Sequence, residues 1–184
     1  PGAFRPALQE TLYRQVDLPP GRIHSPDGQV ADLPAACARY EAEIAGAGGL
    51  DLVVLGLGTD GHIAFNEPTS SFGSRTRIKT LADETRAANQ VAFGTDPVPR
   101  HAITVGIATI LEARRCLLLA FGSAKAPAVA KMVEGPLTAL VPASALQLHP
   151  HATIVVDEAA AAGLQLRGYY DAVAAAKPDW QRED

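Results

Sequence analysis

LDLVVLGLGTDGHIAFNEP, residues 50–68, decides how the rest of the chain is read. Leu50 to Leu57 is an apolar run interrupted only by Asp51 and Gly56. A run that short, rich in Val and Leu and ended by glycine, predicts a buried parallel strand. Gly56, Gly58 and Gly61 then free the backbone to turn sharply and to approach a ligand closely. Asp60, His62 and Glu67 fall within that turn. Open α/β sheets build their sites beyond the carboxyl ends of the strands, so two carboxylates and an imidazole there are candidates for proton transfer. The plainer reading of the same residues is a tight turn whose acids cap a following helix and whose histidine is merely exposed.

Working outward, 184 residues make one domain with room for a sizeable core. Hydrophobic residues are 47% of the chain but aromatics only 5%, so the core is expected to be aliphatic. A net charge of −4 speaks against nucleic acid and anionic membrane surfaces as partners. An anionic metabolite stays open as a ligand, provided cations cluster locally. Cys37 and Cys116 lie far apart in apolar surroundings and read as buried thiols of a reducing cytoplasm, not as a disulfide or metal pair. No apolar run approaches the roughly 20 residues of a membrane helix.

Leu8, Leu12 and Val16 are spaced for one face of a first helix. Asp32 is placed to cap the next helix, with Pro34 in its first turn. There Leu33, Cys37, Tyr40 and Ile44 form an apolar stripe, and Arg39, Glu41 and Glu43 are expected to be exposed. Arg75, Arg77 and Lys79 alternate with Thr76, Ile78 and Thr80, which puts three cations on one face of an extended segment. A solvated edge that resists aggregation accounts for such a stripe by itself. Leu81 to Pro99 predicts a polar helix and a proline-containing loop. His101 to Arg114 predicts a strand end leading into a helix.

Cys116 to Phe121 and Ala152 to Val156 are two further buried strands, and the first runs into Gly122-Ser123-Ala124-Lys125 and an amphipathic helix. A strand, a Gly-Ser turn and a helix start bearing a lysine make a ready anion site. His149 and His151 flank a proline and read as packing or loop residues rather than metal ligands. The tail from Pro178 is polar.

DGHIAFNEP, followed by SRTRIKT at Ser74 to Thr80, resembles the glucosamine-6-phosphate deaminase family. The similarity runs on through HAITVGIATILEAR, FGSAKAPAV, VEGP, ALQLHPHATIVVDEAA and the Tyr169-Tyr170 pair, and so covers nearly the whole chain. The related 6-phosphogluconolactonases share a strand–glycine–DGH turn but are not expected to carry FNEP after it. The resemblance implies an α/β, Rossmann-like and mostly parallel sheet with helices on both faces, in one domain over residues 1–184. It implies deamination and isomerisation of glucosamine 6-phosphate to fructose 6-phosphate and ammonia, in the cytoplasm, without metal or organic cofactor. A small sugar phosphate is the implied partner, with homo-oligomerisation as a further option.

Residue by residue, the resemblance makes Asp60, His62 and Glu67 catalytic. His62 shuttles a proton to the ring oxygen while the two carboxylates orient it and favour its charged form. Gly56, Gly58, Gly122 and Lys125 match substrate- and phosphate-binding positions. Ser70, Arg77, Lys79 and Thr80 match an effector site for an acetylated sugar phosphate in hexameric members. The family's mobile lid corresponds to the segment around Asn89-Gln90-Val91-Ala92-Phe93, where its phosphate-holding arginine falls at Val91.

The family's Gly-Thr phosphate loop and its Asp-Glu-Tyr segment, whose aspartate is the base at sugar C2, have no counterpart among the 184 residues. The expectation is therefore a domain lacking the family's first strands and, alone, deaminating well below an enzyme's ordinary rate. A lactonase of the same fold and a non-catalytic sugar-phosphate-binding remnant are the competing readings.

Overall fold

The computed structural model describes residues 4–178. In chain order its elements are α1 (Phe4–Thr11), α2 (Leu33–Gly46), β1 (Leu52–Gly56), β2 (Arg77–Thr80), α3 (Asp83–Phe93), β3 (His101–Thr104), α4 (Ile107–Leu111), β4 (Arg115–Ala120), α5 (Ala126–Val133), β5 (Ala152–Val156), α6 (Glu158–Ala161) and α7 (Arg167–Ala175). Short 3-10 turns at Ser123–Lys125 and Pro142–Leu148 join the later ones. The polar tail, residues 179–184, lies outside the described residues. No helix among the described residues is long and apolar enough to cross a membrane.

The three apolar runs form one parallel sheet in the order β1–β4–β5. Register sets Leu55, Leu118 and Ile154 side by side, on one face of the pleat. Leu118 is completely buried there, packed with Ile63, Ile110, Val129, Met132, Leu146 and Ala160 from the turn and helices that cover this face. The expected α/β fold, a parallel sheet flanked by helices, stands. Its coverage is unequal. On the opposite pleat Leu52, Val54 and Val155 are 52%, 59% and 40% exposed, and Phe121 just beyond β4 is 56% exposed.

The basic stripe is half of a separate antiparallel ribbon: β2 pairs with β3, Ile78 opposite Ile103 and Lys79 opposite Ala102. Arg77 and Lys79 share its half-buried side, while Ile78 faces out. Arg75 lies before the strand and turns instead to Glu112, which it meets through two hydrogen bonds of 2.5 Å. Three cations on one face thus become two, because the strand starts only at Arg77.

Local chemistry explains several boundaries. Asp32 caps α2 by accepting from the Ala35 N–H at 2.9 Å, as its position predicts. His149 is buried, its Nε2 donating to the Ala113 carbonyl at 2.8 Å and its Nδ1 accepting from the His151 N–H at 3.0 Å. It is a packing residue. Cys37 and Cys116 are both buried and free. Two expectations fail. α1 ends at Thr11, so Leu12 and Val16 fall beyond the helix, and Leu8, Leu12 and Val16 are 38%, 47% and 47% exposed. Glu41 is not a solvated residue of α2 but reaches across to β2 and α4. One of its oxygens accepts from the Thr76 N–H (2.8 Å), the Thr76 hydroxyl and the Thr109 hydroxyl (2.8 Å).

Candidate active site

The chain leaves β1 at Gly56 and doubles back on itself within six residues. Gly58 donates its N–H to the His62 carbonyl at 2.9 Å, and Gly61 donates to the Gly58 carbonyl at 3.0 Å. Both glycines are obligatory for physical reasons. A Cβ on Gly58 would lie 2.2 Å from His62 Nδ1, so the imidazole packs directly on that bare Cα. Gly61 has φ +90°, and a Cβ there would meet the Val141 side chain at 2.7 Å. Gly56 differs: nothing lies within 4 Å of where its Cβ would be, which leaves open space above the strand end.

The turn brings together the three residues singled out from the sequence. Asp60 Oδ1 accepts from the His62 N–H at 3.1 Å and contacts His62 Nδ1 at 2.7 Å. A carboxylate can only accept, so this contact assigns the hydrogen to Nδ1 and leaves the Nε2 lone pair free. Burial would raise the Asp60 carboxyl, but the His62 N–H and the charge of its ring outweigh that and hold it below the usual carboxylate range. Glu67 is 4% exposed. Its Oε1 accepts from the Ala82 N–H at 3.1 Å, whereas Oε2 lies 3.8 Å from His62 Nδ1 with no hydrogen-bond partner. The donor atoms of the three residues all fall within 4.8 Å of one another.

What aims Glu67 at the histidine was not legible in the motif. Asn66, fully buried, donates to the carbonyls of Ile63 (3.0 Å) and Val105 (2.9 Å) and accepts from Arg77 at 2.9 Å. Thr104 at the end of β3 accepts from the Phe65 N–H at 3.0 Å. Between these anchors Ala64 is held at φ 50° and, farther on, Thr69 at φ 74°. Non-glycine residues in the left-handed region cost about 1–2 kcal/mol each and persist only where the surroundings impose them. The FNEP segment is thus clamped, with a strained residue on either side of it, and the asparagine within it is the clamp.

The remaining sequence candidates are distributed differently. Gly122 and Lys125 follow β4, which lies next to β1 in the parallel sheet, so they belong to the same carboxyl edge as the triad. The Gly122 N–H, expected to face an anion, donates instead to both carboxylate oxygens of Asp157 at 3.0 Å. Asp157 also caps α6. The Lys125 ammonium makes no ion pair among the described residues. Ser70 is 2% exposed and spends its hydroxyl on the Glu67 carbonyl at 2.7 Å, supporting the triad from behind. Arg77 is tied to Asn66, and burial lowers its guanidinium below the ordinary value. Thr80 is exposed beside His101 Nδ1 at 3.3 Å. Val91 on α3 is 92% exposed.

Comparison with known proteins follows the same lines. Residues 5–155 match the family model described as glucosamine-6-phosphate isomerases/6-phosphogluconolactonase. Glucosamine-6-phosphate deaminase of Mycolicibacterium smegmatis is 52% identical over 183 residues, which is 98% of this chain and 70% of that protein. A solved monomeric glucosamine-6-phosphate deaminase superimposes with a TM-score of 0.84 at 43% identity, over 87% of this chain and 67% of that one. The 6-phosphogluconolactonase from Thermotoga maritima is farther away, with a TM-score of 0.62 at 22% identity over 81% of this chain and 62% of that one, a likeness of fold.

Proposed function

The chain belongs to the glucosamine-6-phosphate isomerase and 6-phosphogluconolactonase family, and on that premise we propose that its substrate is glucosamine 6-phosphate, converted to fructose 6-phosphate and ammonia. The observation that carries this reading is the Asp60–His62–Glu67 cluster, with Nδ1 of His62 held at 2.7 Å by Asp60 and Nε2 left free. An imidazole so oriented delivers and recovers a proton at one defined atom, as ring opening of a hexose requires at its ring oxygen. Asp60 fixes the tautomer. Glu67, buried and clamped by Asn66 and Ser70, closes the other side of the ring nitrogen.

Lys125 is the cation proposed to hold the substrate phosphate. It starts the α5 segment at the same sheet edge, where its ammonium acts as a point charge without help from the Gly122 N–H. Arg77, Lys79 and Thr80 remain the proposed second anion site on the ribbon. Ser70 contributes there only through the Glu67 backbone. With Val91 at the proposed lid position, α3 offers an apolar side chain there in place of a cation.

Enolisation at C2 requires a further base, and both carboxylates of the triad are committed, Asp60 to His62 and Glu67 to its buried place. A correctly placed general base contributes about 10²–10⁴ in rate to such a proton transfer. The test measures ammonia from glucosamine 6-phosphate in a coupled assay beside acid release from 6-phosphogluconolactone. Ammonia release that disappears in His62→Ala supports the reading. His62-dependent lactone hydrolysis without ammonia assigns the chain to the lactonases, and binding of the sugar phosphate with neither product makes it a sensor.

A further inference from the structure

We infer that the Asp60–His62–Glu67 cluster is also a capture site for a divalent transition-metal ion of the zinc class, which occupies it in place of the histidine proton. Among the described residues this is the one group of three carboxylate, imidazole or thiol donors close enough to share an ion, its donor atoms within 4.8 Å of one another. Proximity of acids alone would mean little. The independent observation is Glu67 Oε2: its side chain is only 6% exposed, and this oxygen has no hydrogen-bond partner while lying 3.8 Å from His62 Nδ1. A buried carboxylate oxygen left unpaired is costly, and a cation seated between it and Nδ1 removes that cost.

The donor set selects the ion. One imidazole nitrogen and two carboxylate oxygens suit Zn²⁺ or Co²⁺ in four-coordinate geometry, at about 2.0–2.2 Å from each donor. Donors of such a site stand about 3.3–3.6 Å apart. The present separations of 2.7 Å for Asp60–His62 and 3.8 Å for His62–Glu67 bracket that spacing. Small rotations of Asp60 and His62, whose side chains are 34% and 19% exposed, complete the site, and the fourth position opens to solvent. Mg²⁺ is disfavoured, since it demands octahedral oxygen ligation and keeps most of its waters.

Binding has a chemical consequence. When the ion takes Nδ1, the neutral imidazole keeps its single hydrogen on Nε2, and the lone pair that would receive a substrate proton is gone. Metal capture and proton shuttling therefore exclude each other at this ring. That the ion blocks turnover rests on the proposed function; that it binds does not.

The purified chain, stripped with a chelator, is titrated with Zn²⁺ by calorimetry and with Co²⁺ by its visible absorption. One ion per chain with the intense band of four-coordinate Co²⁺ is expected. Loss of a supporting partner around a metal typically costs 10–100-fold in affinity, so loss of a ligand in Glu67→Gln or His62→Ala is expected to cost roughly tenfold or more. His24→Ala serves as the control, because His24 and Glu43 form a surface pair at 3.3 Å that is a competing weak site. Circular dichroism confirms that each variant is folded, and His62→Ala, at a part-exposed ring, covers the case in which Glu67→Gln is not. Absence of micromolar binding, or binding unchanged in the folded triad variants and lost in His24→Ala, overturns the inference.

Discussion

At the scale of single residues, the turn is built around one contact, that of the His62 ring with Gly58. Gly58→Ala inserts a methyl group 2.2 Å from Nδ1 in the present arrangement, so the ring must leave its place beside Asp60. Misplacement by about 1 Å costs on the order of 10²-fold in rate, and ammonia release from Gly58→Ala is expected to fall by at least that factor while circular dichroism stays near the parent. Asp60→Asn tests the tautomer. An amide can present its NH₂ to Nδ1, which moves the hydrogen to Nε2, and a wrong tautomer costs about 10⁴ in triad enzymes. Activity of Asp60→Asn near that of the parent would refute the assigned role. The three clustered residues were legible because titratable side chains stood among glycines after an apolar run. Asn66 and Thr104 were not. A buried amide and a buried hydroxyl look like ordinary loop and strand residues until their partners, 39 positions away in Val105 and Phe65, are known.

Among elements, the parallel strands were legible and both strands of the ribbon were expected as extended segments, but their antiparallel pairing was not. Leu52–Gly56, Arg115–Ala120 and Ala152–Val156 announce themselves as short aliphatic runs. β2 and β3 have four residues each and mixed polarity, and their pairing depends on a helix placed between them. Glu41 shows the same limit: on α2 it reads as a surface acid, yet it binds α2 to β2 and α4 through Thr76 and Thr109. Glu41→Ala strands the Thr76 N–H and two hydroxyls, a loss expected to destabilise the fold by about 1–3 kcal/mol in urea denaturation. Burial raises the Glu41 carboxyl, but the Thr76 and Thr109 hydrogen bonds and the Arg75 charge hold it below its ordinary value. The sign follows: a depressed carboxylate lends stability above its unfolded pKa of about 4.3, and this is lost as pH falls through the folded value. The stability difference between parent and Glu41→Ala is therefore expected to be full at neutral pH and to shrink below about pH 4. A difference independent of pH would mean that Glu41 acts by packing alone.

Among the described residues one sheet face is set in the core and the other is only partly covered. Leu52, Val54, Phe121 and Val155 are between 40% and 59% exposed, an apolar surface of the kind that drives association or aggregation. Sedimentation velocity is expected to show concentration-dependent self-association, with binding of a hydrophobic dye, and Val54→Lys is expected to reduce both. A monodisperse monomer that ignores the dye would mean that this face is covered in solution. The same molecule places its triad at the carboxyl edge of the sheet, and the central claim is that His62 there passes a proton to and from a sugar ring. Interconversion of the α and β anomers of glucosamine 6-phosphate isolates that step, because it needs ring opening and no base at C2. Exchange spectroscopy on the phosphosugar with catalytic amounts of the chain measures it directly. Acceleration above the spontaneous rate, lost in His62→Ala and in Gly58→Ala, is the expected result; equal rates with parent and His62→Ala would contradict the account.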